Sequence, residues 1–209
     1  MSWPARPKLY PDELLSSWMT RLARANGLSL PDFWRIVNPD YSSRFVSVDR
    51  RASQPLLDVL ASETGTSAER LKEALMISDE YFGQTFHRHR GWTRELRYCS
   101  SCFRDDREPY YRRAWQSPSA FLCPEHATWL TSRCLNCRAS LRRETLPLEA
   151  ATLATCSQCG AALVATAEPT PPPPSAERIR FLVLQKRMLR LTDLNMEHRF
   201  RSIVANPLQ

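Results

Sequence analysis

All seven cysteines of this 209-residue chain stand in paired spacings, and a histidine completes the one half-pair. Cys99-x-x-Cys102 is followed by Cys123-Pro124-Glu125-His126, then Cys134-x-x-Cys137 and Cys156-x-x-Cys159. Eight such ligands fill two closed tetrahedral zinc sites and leave no thiol over. The 20 residues between Cys102 and Cys123, and the 18 between Cys137 and Cys156, sit in or near the zinc-ribbon range. Disulfides are the competing reading, and pairs two residues apart favour metal over them.

The chemistry expected of these ions is structural. A catalytic zinc keeps one position open and takes three protein ligands, whereas each site here has four. The nucleic-acid deaminases need an H-x-E motif ahead of P-C-x-x-C, and Glu125 stands directly before His126 in the wrong arrangement. The chain has no Gly-rich phosphate loop and no H-E-x-x-H, and Asp105, Asp106 and Glu108 are too local to read as a two-metal nuclease centre. The expectation is therefore two structural zinc ions and no catalytic residues. In small modules each such ion contributes on the order of 10–16 kcal/mol to folding.

Two pairings of the ligands stay open at this level. Sequential pairing puts Cys99, Cys102, Cys123 and His126 on one ion and Cys134, Cys137, Cys156 and Cys159 on the other. A RING-like cross-brace would join Cys99 and Cys102 to Cys134 and Cys137. RING spacing leaves fewer residues after the histidine than the seven between His126 and Cys134, so sequential pairing is preferred.

Thiolate ligands persist in reducing surroundings, and no signal-like apolar segment precedes Trp3-Pro4. No apolar run approaches a membrane-spanning length, so a cytoplasmic protein without a membrane partner is expected. The formal charge is +7, with 29 Lys plus Arg against 22 Asp plus Glu. Thiolate-bound zinc lowers that by three, to about +4. Only Lys8, Lys72 and Lys186 are lysines. Arginine's planar fork suits phosphate, but a GC-rich genome produces the same bias. Charge alone permits a nucleic-acid partner without establishing one.

The elements that must position the ligands divide the chain. Residues 1–90 lack cysteine and read as a helical, helix-turn-helix-like domain. Residues 91–165 hold the tandem zinc module, residues 166–175 form a Pro-rich linker, and residues 176–209 return to a basic helical pattern. The fold class is thus mainly α with small β. In the first helix Asp12 offers a cap, Leu15, Trp18, Leu22 and Ala25 form the apolar face, and Asn26-Gly27 is the stop. Ser29-Leu30-Pro31-Asp32 has capping-box spacing ahead of Phe33, Trp34 and Val37. Core packing is the preferred role of the tryptophans. Pro55–Glu63, with Leu56, Leu57 and Leu60, turns at Thr64-Gly65 into a helix capped by Thr66, with Leu71, Leu75 and Met76 inward. Ala68, Glu69, Arg70, Lys72 and Glu73 face outward. That surface is too mixed for a typical major-groove reader, and protein contact suits it at least as well.

Residues 86–98 interleave His87, Arg88, His89, Arg90, Trp92 and Arg94. Arginines between aromatics suit phosphate contact with base stacking, although a solvated basic loop is the preferred reading. Arg112 and Arg113 extend the basic bias into the first zinc unit. Arg21, Arg24, Arg70 and Lys72 complete the candidate contacts to DNA or partner. A C-terminal helix is expected from Ala176 to Asn195, burying Ile179, Leu182, Val183 and Leu189.

Two separated stretches resemble the TniQ/TnsD family of transposition-targeting proteins. The first is Pro11-Asp12-Glu13-Leu14-Leu15-Ser16-Ser17-Trp18-Met19-Thr20-Arg21-Leu22-Ala23-Arg24-Ala25-Asn26-Gly27. The second runs Tyr98-Cys99-x-x-Cys102, Pro109-Tyr110-Tyr111-Arg112-Arg113-x-Trp115, Cys123-Pro124-x-His126 and Leu130-x-x-x-Cys134-x-x-Cys137. Ser100 departs from a frequent Pro, and Ala127 from the Gly that commonly follows the histidine. The resemblance implies a non-enzymatic adaptor that helps choose an insertion site and hands it to an AAA+ ATPase bound on double-stranded DNA. In CRISPR-associated transposons the adaptor also meets an RNA-guided effector. Longer members continue into further target-recognising domains, so this chain either borrows specificity from a partner or is a fragment. The alternatives are an autonomous zinc-stabilised DNA-binding regulator and a RING-like interaction module.

Overall fold

The computed structural model describes residues 3–38, 45–76, 95–116, 120–142 and 152–164, with the helical residues Arg180, Val183, Leu184 and Arg187. Arg88, Arg90, Trp92 and Arg94 fall outside the described residues, as do the Pro-rich linker, Ile179, Leu182 and Leu189. Val183 is exposed, against the expectation that it is buried.

The described residues are mostly helical, with pairing limited to isolated antiparallel bridges. Helix α1 spans Leu15–Ala25, α2 Leu30–Val37, α3 Gln54–Thr64 and α4 Ala68–Glu73. A short helix, α5, covers Ser100–Asp105 at the entry to the zinc-ligand region. Helices α1–α4 close over one core formed by Leu15, Trp18, Met19, Leu22, Phe33, Val37, Leu56, Leu60 and Leu71. Ala25, expected on the inward face of α1, is exposed, and Met19 and Ala23 take its place. The stripe is therefore the wider i, i+3, i+4 face of a globular helix.

Local signals end most of these helices. Ser29 caps α2 by accepting from the Asp32 amide at 3.2 Å, and Ser53 caps α3. Gly65 ends α3 in the left-handed region at φ 73°, where a Cβ would be strained. Thr66 is not the cap of α4. Ser67 accepts from the Arg70 amide at 3.2 Å, while the Thr66 amide donates to the Thr64 hydroxyl. The turn after Gly65 is simply one residue longer than the sequence implies.

Helix α1 departs further from expectation, because Asp12 does not cap it. The N-cap position is Leu14, which has no side-chain acceptor. Partners distant in sequence satisfy the opening amides instead. Leu14 donates to the Tyr111 carbonyl at 3.0 Å and Leu15 to the Ala74 carbonyl at 3.1 Å. The Ser16 amide and hydroxyl donate to the two carboxylate oxygens of buried Asp49, both at 2.7 Å. Orphan helix donors must find acceptors, and here tertiary structure supplies them.

A second core surrounds the metal-ligand region, with Tyr98, Phe103, Tyr111, Trp115, Leu153 and Leu163 packed among the cysteines. Phe103 lies parallel to Tyr98 at 5.2 Å and edge-on to Tyr111 and Trp115. Leu14 and Met76 from the N-terminal part also belong to this core.

Candidate metal centres

Three of the four ligand pairs adopt the same turn. Cys123, Cys134 and Cys156 each donate their amide to the residue five positions on, at 2.8, 2.9 and 2.8 Å. The residue just after each pair, Ala127, Arg138 or Gly160, donates back to that first cysteine's carbonyl at 2.9, 3.0 and 2.9 Å. All three of these residues lie at positive φ, at 53°, 62° and 71°. The turn aims both ligand atoms to one side, and it requires a left-handed residue at its end. Only Gly160 meets that requirement without Cβ strain. Replacing Ala127 with Gly should therefore stabilise the metal-loaded protein by about 0.5–1 kcal/mol, after allowing for glycine's extra freedom when unfolded. Thermal melts of the variant read this directly, and a lowered midpoint would contradict the strain argument.

The fourth pair is built on α5. Cys99 is its N-cap residue and Cys102 lies within the helix. The ligands assemble sequentially: Cys99, Cys102, Cys123 and His126 form one quartet, and Cys134, Cys137, Cys156 and Cys159 the other. In the first, Nδ1 of His126 lies 3.7, 3.3 and 3.7 Å from the sulfurs of Cys99, Cys102 and Cys123. Cys102 and Cys123 are 3.5 Å apart. In the second, Cys134 lies 3.7 Å from Cys159, and Cys137 lies 3.8 Å from Cys156. A tetrahedral ion with Zn–S near 2.3 Å has a sulfur–sulfur edge of about 3.8 Å, so both quartets could hold zinc.

Their surroundings differ. In the first quartet the three cysteines are buried and His126 is half-buried. Nε2 of His126 lies 2.9 Å from the Asp105 carboxylate, which orients the ring so that Nδ1 faces the sulfurs. The crowded thiols are driven in opposite directions, Cys99 held far below the ordinary thiol range by hydrogen bonds from Cys102 and Cys123, and Cys102 pushed far above it by Cys123 and Cys99. The second quartet exposes Cys137 and Cys159. Its additional donors are the Asn136 amide to Cys134 at 3.4 Å and the Asn136 side chain to Cys159 at 3.6 Å. A chelator should thus strip the second site at least about tenfold faster than the first, since outer partners of the ligands change metal affinity by about that factor. Cobalt(II) reports the two sites separately, because three thiolates with an imidazole absorb differently from four thiolates. Equal release rates would refute the distinction.

The acidic trio in this region is fully engaged. Asp105 holds His126, Asp106 takes a two-pronged contact from Arg112 at 2.9 and 2.7 Å, and Glu108 accepts from Arg21 at 2.6 Å. Arg21, expected on a contact surface, is buried and is corrected here to an internal ion pair. It donates to Glu13 at 2.7 Å as well as to Glu108. Burial opposes the charge on Arg21, and the Glu108 hydrogen bond with the two carboxylates overcomes it. Burial also pushes the Glu13 carboxyl up to about 7, against the pull of Arg21 and the Ser17 hydroxyl. Arg112 is likewise largely buried, and Arg24 is half-buried. Arg70 bonds Glu73 at 2.5 Å, and the Arg113 guanidinium donates to the Glu73 carbonyl. Arg70 and Arg113 thus both bond Glu73, at its carboxylate and its carbonyl, while Lys72 of the same helix is exposed. Sequence reasoning missed the roles of Glu13, Asp49, Glu108 and Tyr10: Glu13 meets Arg21 two helical turns on, whereas Asp49, Glu108 and Tyr10 are placed by contacts spanning tens of residues.

The TniQ family model matches residues 4–130, more than half of the chain. The chain belongs to the TniQ family. This is a family of transposition proteins, and the TniQ match spans α1–α5 together with the whole first quartet. The second quartet begins at Cys134, beyond the TniQ match. Among curated proteins, none matches the chain. No described helix is long and apolar enough to cross a membrane.

Proposed function

We propose that this TniQ protein is a non-enzymatic transposition adaptor, braced by two structural zinc ions, that links a chosen target site to an AAA+ ATPase bound on double-stranded DNA. On the target side it connects to an RNA-guided CRISPR effector or another targeting factor, in the cytoplasm. The family match over residues 4–130 carries this reading. Two four-ligand quartets, with no position left over for a substrate, support a structural role for the metal. Exposed Lys72, and Arg70 and Arg113, which both bond Glu73, are the candidate contacts for DNA or the ATPase. The basic segment with Arg88, Arg90, Trp92 and Arg94 is a second candidate.

The autonomous-regulator alternative needs a base-reading helix, and the outward face of α4 mixes Glu69 and Glu73 with Arg70 and Lys72. The RING-like alternative needs interleaved ligands, and these group sequentially. The test is co-sedimentation with the AAA+ ATPase encoded nearest to this chain, on DNA with a non-hydrolysable ATP analogue. Binding only when the nucleotide-bound ATPase coats the DNA is the expected result, with weak sequence-independent binding to bare DNA. Tight, sequence-selective binding to bare DNA with steep salt dependence would favour the regulator.

A further inference from the structure

The adaptor reading leaves the Pro109-Tyr110-Tyr111-Arg112-Arg113-x-Trp115 motif without a task. In the structure that motif faces the N-terminal motif around Asp12. The Arg113 amide donates to the Asp12 carbonyl at 2.6 Å, the Leu14 amide to the Tyr111 carbonyl at 3.0 Å, and the Tyr111 amide to the Ser17 hydroxyl at 3.0 Å. Tyr110 donates its hydroxyl to Asp12 at 2.9 Å.

Beside these bonds runs a stack of cations and rings. The Arg21 guanidinium lies 4.4 Å from the Tyr10 ring centre, and Tyr10 stacks on Tyr110 at 4.5 Å. Arg112 lies 4.4 Å from Tyr110 and 4.8 Å from Trp115. Arg112 then grips Asp106, whose amide donates to the carbonyl of Cys102 at 2.8 Å. Each contact joins the next without a gap: α1, Arg21, Tyr10, Tyr110, Arg112, Asp106, and a ligand of the first quartet.

We propose that this column makes Arg112 a positioning residue, coupling metal occupancy of the first quartet to the docking of α1. A metal at Cys99, Cys102, Cys123 and His126 holds the C-terminal end of α5, and with it Asp106. Asp106 fixes the plane of the Arg112 guanidinium, and that plane sets where Tyr110 and Tyr10 stack beneath Arg21. The second quartet reaches α1 by a different path, through the Tyr98 hydroxyl on the Arg133 carbonyl and the rings of Phe103 and Tyr111, with no ion pair in it. A chain loaded at the first site presents its helical face in one orientation, and a chain stripped there does not. The proposal rests on the metal reading of the first quartet and goes beyond the adaptor role.

Linkage makes the coupling reciprocal, so it can be tested from the far end. Tyr10 is no ligand and lies 89 residues before Cys99. In full-length protein loaded with cobalt(II), Tyr10→Ala should speed chelator-driven release from the histidine-containing site at least about fivefold, a usual coupling strength. Release from the all-cysteine site, which does not touch the column, should change much less. Arg112→Lys keeps the charge but loses the two-pronged grip and the flat stacking face, and should act in the same direction. Hydrogen exchange supplies the reverse reading: stripping the first site should deprotect α1 amides while α3 stays protected. If Tyr10→Ala folds poorly, Tyr10→Leu keeps an apolar side chain of similar reach but removes the ring stacked on Tyr110, and it should still speed release from the histidine-containing site. Release from that site unchanged in all three variants would overturn the coupling. Failure of the first quartet to bind cobalt at all would overturn the metal reading beneath it.

Discussion

Cys99→Ala is expected to unfold the region around the first quartet and to lower metal content from two ions to one. Cys99 is wholly buried, its sulfur 3.7 Å from His126 and 3.3 Å from the Thr128 hydroxyl. Three remaining ligands leave an open position, and water there cannot replace a thiolate's charge. In small modules the whole site is worth on the order of 10–16 kcal/mol, comparable to the entire stability of a domain. Phe103, Tyr111 and Trp115 pack around these sulfurs, so the aromatic core should lose its fixed packing with the metal. Near-ultraviolet circular dichroism and metal analysis together read the outcome. Cys159→Ala is the contrasting variant: Cys159 is exposed, and its loss should release one ion while the aromatic spectrum is largely kept. An unchanged folded spectrum and two bound ions after Cys99→Ala would contradict a structural role for that site.

Arg21→Ala carries the second-largest expected effect. Glu13 is wholly buried, and removing Arg21 leaves its carboxylate without a cation. Breaking one side of a buried ion pair typically destabilises by about 3–5 kcal/mol. The defect should depend on pH in a defined direction. Burial raises the Glu13 carboxyl to about 7 from an ordinary value of 4.5, and losing Arg21 raises it further. A raised carboxyl destabilises fully above its folded value, where it must ionise in the core, and less as pH falls and the folded state takes up a proton. The gap in melting temperature between wild type and Arg21→Ala should thus be widest near pH 8 and narrow toward pH 6. A gap independent of pH would show that the loss is packing alone. Exchanging both partners for apolar residues, Glu13→Leu with Arg21→Met, should recover part of the stability, since no buried charge is then left unpaired.

These two results bear on different contacts of one molecule. The cysteine result tests a site whose members announce themselves by type and spacing. The arginine result tests a pairing that no fixed spacing encodes: Arg21 bridges Glu13, two helical turns before it, and Glu108, 87 residues after it. Fixed spacing is legible because residues three apart aim two ligand atoms to one side on a short turn or on a helix start, as the shared turns at Cys123, Cys134 and Cys156 and the first turn of α5 illustrate. A lone arginine carries no such geometry. Its side chain is long enough to be a surface cation or a buried donor, and burial alone decides between them.

The ligands, the helical N-terminal part, the cap at Ser29 and the stop at Gly65 are legible from residue order, because each depends on neighbours within about five positions. The TniQ resemblance is legible for the same reason, in two contiguous motifs. Only the packed chain reveals that Asp49 rather than Asp12 serves the start of α1, and that Ser67 rather than Thr66 caps α4. Packing likewise turns Arg21 and Arg112 inward and selects the sequential pairing of the ligands. An amide, a guanidinium or a thiol accepts any partner of suitable chemistry, and which one it meets depends on how distant segments pack.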